Sequence, residues 1–298
     1  MTETLAIVGA GRVGRALGRR LRELGWRIGA IVAQSESSAR RAVRFIGAGS
    51  AHAGMPRRIL ASTVILIATP DGAIAEVAKE LARVGAEELQ GKVVLHTSGA
   101  RDASVLSPVR ACGAATGSMH PLQTFSGVGV PSLEGRVFAI EGDVMAVRTA
   151  RKIARALGGA PLHIDAPNKP LYHAACTFAA GHALVTVEAA IQLMMSLGMK
   201  RGEAVRALLP MTRQVLQNCE RLGPRAAWTG PLARGDHGVI AIHVDALQRY
   251  SLEYKEAYEA LNRLAERLLA RDAAEASATT ERIPQNKKAK VKATGGNG

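Results

Sequence analysis

Residues 5–14 read Leu5-Ala6-Ile7-Val8-Gly9-Ala10-Gly11-Arg12-Val13-Gly14, an apolar run followed by a glycine-rich turn. The apolar run predicts a buried strand, and apolar residues at helical spacing from Val13 to Leu24 predict an amphipathic helix. In this pattern the first glycine permits a tight turn, the second lets a pyrophosphate approach the backbone, and the third allows close packing of helix on strand. The start of the helix offers free N–H groups to phosphates. We therefore predict a dinucleotide site at Gly9, Gly11, Arg12, Val13 and Gly14, with a structural turn or another nucleotide as the alternative.

The length of 298 residues exceeds what one hydrophobic core usually holds, so we expect two domains. Strand and helix patterns alternate in the first half, which is typical of a parallel sheet, and after Pro170 the pattern is helical only. We predict an α/β fold: a Rossmann-type parallel-sheet domain over residues 1–165 and an all-α substrate and dimerisation domain over residues 166–270. Residues 271–298 are rich in Ala, Ser, Thr, Lys and Gly, which predicts a disordered basic tail.

The sequence predicts individual elements of this fold as well. Strands are expected at residues 5–8, 27–32, 63–68, 92–96, 114–119, 137–140 and 161–164, and helices at 73–84, 143–157, 170–197, 202–221 and 239–269. In parallel sheets, ligands bind beyond the carboxyl ends of the strands. Three strand ends therefore carry candidate residues: Thr69 and Pro70 for the cofactor, Ser98 for cofactor or substrate, and His120 for substrate or catalysis.

The net charge of +14 raises the question of nucleic-acid binding. Residues 1–60 hold eleven arginines and three acidic residues, and residues 284–298 add four lysines without an acid. These two segments account for +12 of the net charge of +14, and the first contains the predicted pyrophosphate site. Since no motif with interleaved aromatic residues accompanies them, we rank nucleic-acid binding last among the functions considered.

The cysteines and the hydropathy pattern indicate the cellular compartment of the protein. The three cysteines, Cys112, Cys176 and Cys219, are far apart and odd in number, which suits a reducing compartment. The first residues lead directly into a strand, so we expect no signal peptide. The apolar stretch from Leu171 to Met199 is interrupted by histidines and polar residues, which favours a buried or dimer-interface helix over a membrane span. We predict a cytoplasmic protein.

The second strand bears on the choice of dinucleotide. NAD enzymes usually carry an acidic residue about twenty residues beyond the glycines, where it accepts the ribose hydroxyls. Here the corresponding segment reads Gln34-Ser35-Glu36-Ser37-Ser38-Ala39-Arg40-Arg41. Ser35 and Ser37 could bond a 2′-phosphate, and Arg40 or Arg41 could supply a bidentate cation. We predict NADP rather than NAD, while a shift of one residue would make Glu36 a ribose acceptor.

Several longer motifs resemble a known family. They are the segments Leu95–Ala100, Gly117–Phe125, Lys169–Ala175 and Thr229–Asp236. They resemble the bacterial oxidoreductases that join a Rossmann-like domain to a helical domain of unknown function (number 2520). That family is in turn similar to β-hydroxyacid dehydrogenases, ketopantoate reductase and pyrroline-5-carboxylate reductase, which implies NADP binding and a homodimer formed through the helical domain. This chain departs from the family at Ala180-Gly181-His182, where members often carry Asn.

Hydride transfer to a carbonyl needs a proton donor, and the candidates are Lys169, His173 and His120. The spacing of Lys169 to Tyr172-His173 resembles the Lys-x-x-His-Asn helix of 6-phosphogluconate dehydrogenase, whose lysine performs acid/base work. The alternative is that Pro170 keeps Lys169 out of helical geometry beside an N-cap. For His173 the alternative is a core or interface histidine, and for His120 it is a strand-end residue that serves only a turn.

A carboxylated substrate is expected from the basic cleft and from Arg234, which could hold a carboxylate with two hydrogen bonds. Asp236, two residues later, is expected to cap the following helix. No pair of residues has the spacing of a known metal site. We predict an NADP(H)-dependent oxidoreductase acting on a small carboxylated carbonyl or hydroxy compound. The alternatives are an imine reductase of the pyrroline-5-carboxylate type and a non-catalytic NADP(H)-sensing protein.

Overall fold

A computed structural model describes residues 3–270 of the chain. Eight strands form one sheet in the order β3-β2-β1-β4-β5-β6-β7-β8. The strands are β1 Thr4–Val8, β2 Arg27–Ala33, β3 Ser50–Ala53, β4 Val64–Ile67, β5 Val93–His96, β6 Ala115–Pro121, β7 Val137–Gly142 and β8 Ala160–His163. The predicted fold class, a Rossmann-type sheet followed by helices, is confirmed.

The sheet differs from the prediction in two details. The segment Ser50-Ala51-His52-Ala53 pairs with β2 as an edge strand, which its lack of large apolar residues concealed. β7 runs antiparallel to β6, and β8 lies parallel to β7, so the last two strands are reversed relative to the first six. The chain between β6 and β7 carries no helix that would return it for a parallel crossover.

Helices cover the sheet on both faces. They are α1 Arg12–Glu23, α2 Glu36–Ile46, α3 Ile74–Gly85, α4 Ser107–Ala111 and α5 Val144–Ala156. One apolar layer includes Leu17 of α1 and Ile153 of α5, and the other includes Ile74 and Leu81 of α3. Alternate residues of each strand enter opposite layers because side chains alternate across a sheet.

The rest of the described chain is helical. These helices are α6 Lys169–Thr177, α7 Ala183–Ser196, α8 Arg201–Leu222, α9 Pro224–Ala227, α10 His237–Tyr250 and α11 Leu252–Leu269. Residues Phe178–His182 form a single π-helical segment between α6 and α7. Ser251 has extended backbone, with φ −163° and ψ 134°, and separates α10 from α11.

The chain divides into two compact units, Met1–Ala183 and Leu184–Gly298. The division falls inside the long helical stretch and not at residue 165, where strand alternation ends. The predicted basic tail at 271–298 lies outside the described residues.

Within residues 3–270, one stretch, Ala166–Ser196, is long and apolar enough by length and composition to cross a membrane, with a mean hydropathy of 1.5 over its best window. Only 6% of that window is buried within the single chain. Of the two expectations, a buried helix and a dimer-interface helix, the first is therefore wrong for the single chain. Leu171, Phe178, Leu184 and Val185 are each more than half exposed.

Candidate functional site

The glycine turn combines two tightly packed glycines with one that has open space beside it. Gly9 has a φ of +104°, and a Cβ placed there would lie 2.5 Å from the carbonyl oxygen of Ala68. A Cβ on Gly14 would lie 2.3 Å from the carbonyl oxygen of Gly9, so helix and strand touch at this point. A Cβ on Gly11, in contrast, would have its nearest neighbour, the carbonyl oxygen of Ala68, 3.9 Å away. Gly9 and Gly14 therefore serve the turn itself, whereas the space beside Gly11 is open to a ligand.

The beginning of α1 leaves its amides available. Gly11 is the N-cap and has no side chain to bond them, and no acidic residue stands in the first turn. The amides and the positive end of the helix dipole therefore favour an anion at this position. Arg12 and Val13 form the first residues of the helix beside that point.

A cleft of about 520 Å³ opens in front of this turn. Its lining includes Gly9 and Gly11 from the turn and Thr69 and Pro70 from the end of β4. The Thr69 hydroxyl is buried and has no hydrogen-bond partner. Buried hydroxyls are nearly always paired, so this one is suited to a hydroxyl or phosphate of a bound dinucleotide. The cleft thus provides backbone donors for a pyrophosphate and an unused polar group beside them.

The end of β2 carries a serine cluster at the start of α2. The Ser35 hydroxyl accepts a hydrogen bond from the Ser38 amide at 3.3 Å, so Ser35 caps the helix. Ser38 lines the cleft and accepts a hydrogen bond from Arg41 at 2.8 Å. Arg40 instead pairs with Glu36 at 2.9 Å, on an exposed surface. Of the two candidate arginines, the structure places Arg41 on the serine that lines the cleft.

Ser98 organises the loop that follows β5. Its hydroxyl donates to Asp71 at 2.8 Å and accepts from the amides of Ala100 and Arg101 at 3.2 and 2.9 Å. Because these three bonds use the hydroxyl, Ser98 ties its own loop to the end of β4. Its predicted contact with cofactor or substrate stays a prediction.

A second cavity, of about 620 Å³, lies beside this loop. Its lining includes three ring side chains, His120 from the end of β6 and Tyr172 and His173 from α6. Nδ1 of His120 lies 2.8 Å from the Tyr172 hydroxyl, and the rings of His120 and His173 meet edge to face at 5.5 Å. A Cβ on Gly99 would lie 2.3 Å from His173 and 3.0 Å from His120, so this position has room only for glycine. The structure therefore brings His120 and His173 together.

Lys169 lies behind this group and does not line the cavity. It has helical φ and ψ of −57° and −42° at the start of α6, so the alternative in which Pro170 keeps Lys169 out of helical geometry is wrong. A proline in the first turn of a helix removes only an N–H that has no partner there. Pro170 is therefore compatible with a helix that begins at Lys169. The side chain is 1% exposed, and its ammonium donates to the Ser98 carbonyl at 3.1 Å and to the Ser118 hydroxyl.

The protonation of the site follows from burial. Burial, with the charges of His173 and Lys169 as further causes, lowers the pKa of His120 to about 4. Burial also raises the pKa of Tyr172, with a hydrogen bond to Cys176 as the next cause. At neutral pH the cavity wall therefore presents a neutral imidazole and a protonated phenol.

Arg234 and Asp236 pair with each other at 3.0 Å in the unit that begins at Leu184. Asp236 occupies the N-cap position of α10 but makes no side-chain cap, so the expected capping bond is wrong. The carboxylate is engaged by the guanidinium of Arg234 instead. Arg234 as a substrate ligand stays a prediction.

Five polar residues of the site were not singled out from the sequence: Tyr172, Ser118, Glu141, Asp71 and Ser38. Tyr172 stands beside two candidates in a motif, and that position was its only signal. Ser118 lies inside the predicted strand 114–119 and the segment Gly117–Phe125, and Glu141 directly follows the predicted strand 137–140. Only the strand register shows that the two are neighbours. Within residues 3–270, no group of three or more His, Cys, Asp or Glu side chains is placed to hold a metal ion.

Two family models match the chain. A Rossmann-like domain matches residues 3–121, and the domain of unknown function DUF2520 matches residues 136–265. No curated protein is similar enough in sequence to serve as a relative.

Solved structures resemble the chain along most of its length. A candidate NADP oxidoreductase from Bacteroides fragilis has 22% identity and a TM-score of 0.73, covering 88% of this chain and 97% of that one. An imine reductase from Pseudomonas sp. has 18% identity and a TM-score of 0.65, covering 89% and 94%. A pyrroline carboxylate reductase from Plasmodium falciparum, with NADP bound, has 10% identity and a TM-score of 0.57, covering 88% and 97%. At these identities the likeness shows the fold alone, a Rossmann-like domain followed by helices. By its two matched segments, the chain carries a Rossmann-like domain followed by a DUF2520 domain.

Proposed function

We propose that this protein is an NADP(H)-dependent oxidoreductase that reduces a carbonyl or imine compound. The observation that carries the proposal is the cavity wall formed by His120, Tyr172 and His173, which the Ser98 loop connects to the glycine-lined cleft through the hydrogen bond to Asp71. A proton-donating group and a dinucleotide cleft on one sheet edge are the two parts that hydride transfer to a C=O or C=N bond needs.

The residues of the cleft suit a dinucleotide. Gly9, Gly11 and the first amides of α1 would hold the pyrophosphate, and Thr69 would bond a ribose or nicotinamide group. When bound, the nicotinamide supplies or accepts the hydride. We propose NADP as the cofactor because Ser38 and Arg41 offer a hydroxyl and a guanidinium at the end of β2, where NAD enzymes carry an acid. Glu36 at this position is neutralised by Arg40.

Tyr172 is our proposed proton donor. Its hydroxyl reaches the cavity wall and its pKa is raised by burial, so the phenol keeps its proton until a developing anion is near. Nδ1 of His120, in hydrogen-bond contact, orients this hydroxyl. Lys169 is hydrogen-bonded to Ser98 and Ser118 outside the lining, so its part in catalysis is through the residues it holds.

The lining of the cavity bears on the substrate. The residues that line it, from His120 to Gly181, include no lysine or arginine, and Arg234 is paired with Asp236. A carboxylated substrate, as expected from the sequence, lacks a cationic partner in this lining. We therefore favour an uncharged imine as the substrate over compounds of the ketopantoate, β-hydroxyacid or pyrroline-5-carboxylate type, all of which carry a carboxylate.

We further propose a homodimer in which a second copy covers the exposed apolar side chains of the unit that begins at Leu184. Val185, Met211, Leu216 and Ile242 are each between 61% and 66% exposed. Apolar surface of this kind usually marks an interface. Light scattering on the purified chain should give twice the chain mass, and Leu216→Glu should shift it towards the monomer. A monomeric wild type, or recovery only with lipid, would contradict the dimer.

The competing function is an NADP(H) sensor without chemistry, which would use the same cleft. The two are separated by incubating the protein with NADPH and matched substrate pairs, such as a cyclic imine with and without a carboxylate. Turnover of the uncharged imine at the higher kcat/KM supports the proposal. Faster turnover of the carboxylated partner would restore the first substrate prediction. Tight NADPH binding without turnover of either would favour the sensor.

A further inference from the structure

A row of polar side chains crosses three neighbouring strands inside the sheet. The register pairs His96 of β5 with Ser118 of β6, and Ser118 with Glu141 of β7. Residues directly opposite each other in adjacent strands share a face of the sheet. All three are buried, with Glu141 only 5% exposed. Such polar side chains cost free energy in a core unless they are paired, so their arrangement calls for a reason.

Lys169 closes this row from α6. Its ammonium donates to the Ser118 hydroxyl, and Ser118 lies directly opposite Glu141 in the strand register and lowers the pKa of its carboxyl. The Ala103 backbone also lowers the pKa of this carboxyl. Oε1 of Glu141, however, is buried without a hydrogen-bond partner. Ser118 therefore stands between a buried cation and a buried carboxylate.

The charges of the two groups offset their burial. Burial lowers the pKa of Lys169, and the negative charges of Glu141, Asp102 and Asp71 act against that shift, with Glu141 the largest of the three. Burial raises the pKa of Glu141, and the charge of Lys169 is the first influence that opposes it. His96 also faces the lysine. Its Nδ1 accepts from the Ser98 amide and its Nε2 lies 3.1 Å from the Asp102 carbonyl, which indicates a neutral ring with the proton on Nε2.

We propose that Glu141 is a positioning residue: across the Ser118 hydroxyl, its carboxylate keeps the buried Lys169 ammonium charged, and this ammonium holds the Ser98 carbonyl and so fixes the loop beneath His120 and His173.

The consequence for the cavity is direct. Gly99 of this loop packs against both histidine rings with no room for a Cβ, so a displaced loop would move the rings. The same ammonium is one of the charges that keep His120 neutral. The effect on turnover rests on the proposed oxidoreductase function, whereas the charge pairing between Glu141 and Lys169 does not.

The pairing is tested without substrate by titrating the lysine side chains of isotope-labelled protein by NMR, with Lys169→Met identifying the Lys169 signal. In Glu141→Gln we expect the pKa of Lys169 to fall by about one to three units, the size typical of a lost opposite charge. Glu141→Asp keeps the negative charge, so its Lys169 pKa should lie close to that of the wild type. The exposed Glu134→Gln is the matched control and should leave the Lys169 signal unchanged.

Turnover supplies the second readout. The alkaline limb of the pH profile of kcat should move to lower pH in Glu141→Gln and stay in place in Glu134→Gln. Where Glu141→Gln does not fold, Ser118→Ala carries the test, with a shift in the same direction. A Lys169 pKa that is the same in the wild type and in both site variants overturns the proposal. A shifted Lys169 pKa in a protein without turnover would instead contradict the proposed function and leave the pairing standing.

Discussion

The Tyr172 hydroxyl and Nδ1 of His120 lie 2.8 Å apart although the two residues are 52 positions apart in the sequence. This bond joins the end of β6 to the first turn of α6 and places a phenol on the cavity wall. If the phenol donates the proton, Tyr172→Phe should lower kcat by about a hundredfold, within the range usual for general acids. The dissociation constant of NADPH should stay the same, because Tyr172 is not among the residues that line the dinucleotide cleft.

The matched control for this variant is Tyr250→Phe, which removes the hydroxyl of a tyrosine that is 44% exposed in α10. Steady-state kinetics and a fluorescence titration with NADPH measure both quantities. An unchanged kcat in Tyr172→Phe would remove the tyrosine from the mechanism.

Two glycines of the turn should respond differently to alanine. Gly9→Ala meets both a φ of +104° and a carbonyl oxygen at 2.5 Å, so we expect the free energy of unfolding to fall by about 2 kcal/mol. Gly11→Ala has open space and should fold normally, but its methyl would stand where the pyrophosphate approaches. We expect a loss of NADPH affinity of about tenfold or more. Urea unfolding and NADPH titration separate the two effects.

Gly238→Ala, in α10 with nothing near its added Cβ, is the control for both measurements. Equal NADPH affinity in Gly11→Ala and the wild type would mean that the cofactor does not pass over this backbone.

Arg41 and Arg40 provide a paired test of cofactor choice. Arg41→Ala should weaken NADPH binding by about tenfold, since a charge-assisted bond to the 2′-phosphate is lost, and should leave NADH binding unchanged. Arg40→Ala should change NADPH binding less, because its guanidinium is engaged by Glu36. Calorimetric titration of each variant with both dinucleotides gives the answer. A larger effect from Arg40 would show that the ion pair opens on binding.

Acid sensitivity follows from two buried histidines. Burial, followed by the Lys169 charge, lowers the pKa of His96 from 6.5 to about 4, and His120 has a similar shift. Since the unfolded chain binds these protons more readily, stability is complete above pH 6.5 and is lost as the pH falls towards 4. Each histidine accounts for about 2 to 3 kcal/mol of this loss.

Urea unfolding across this pH range tests the linkage. His96→Gln, whose amide can replace both ring hydrogen bonds, should show a shallower decline than the wild type. His163→Gln, on an exposed position of β8, should decline as steeply as the wild type. A decline in His96→Gln as steep as in the wild type would contradict the assignment of His96.

The sequence predicted most of the fold because its patterns are local. Apolar runs in β1, β4 and β5, glycine at the turn and the loss of strand alternation after Pro170 are each visible in a short window. β3 was missed because Ser50-Ala51-His52-Ala53 lacks the apolar residues of a buried strand, and it forms an edge. The reversal of β7 depends on how the chain between β6 and β7 returns, which no local pattern records.

The site was less predictable because strand register decides which of its residues are neighbours and burial decides their charge states. Strand ends indicated Thr69, Ser98 and His120, all of which lie near the cleft or the cavity. In the sequence, Glu141 is a single acidic residue at the end of an apolar strand. Only its position opposite Ser118, which Lys169 contacts, indicates that Lys169 is its charge partner. Lys169 was found through a resemblance, while its burial could not be read from Lys169-Pro170.

Hydride transfer from NADPH carrying deuterium at the transferable position tests the central claim most directly. The purified chain is incubated with this cofactor and a panel of uncharged and carboxylated imines and carbonyls. Mass spectrometry then measures the deuterium content of the products. We expect deuterium in the reduced product of at least one uncharged imine, and much less of that product with Tyr172→Phe. Tight NADPH binding with no deuterium in any product would contradict the oxidoreductase.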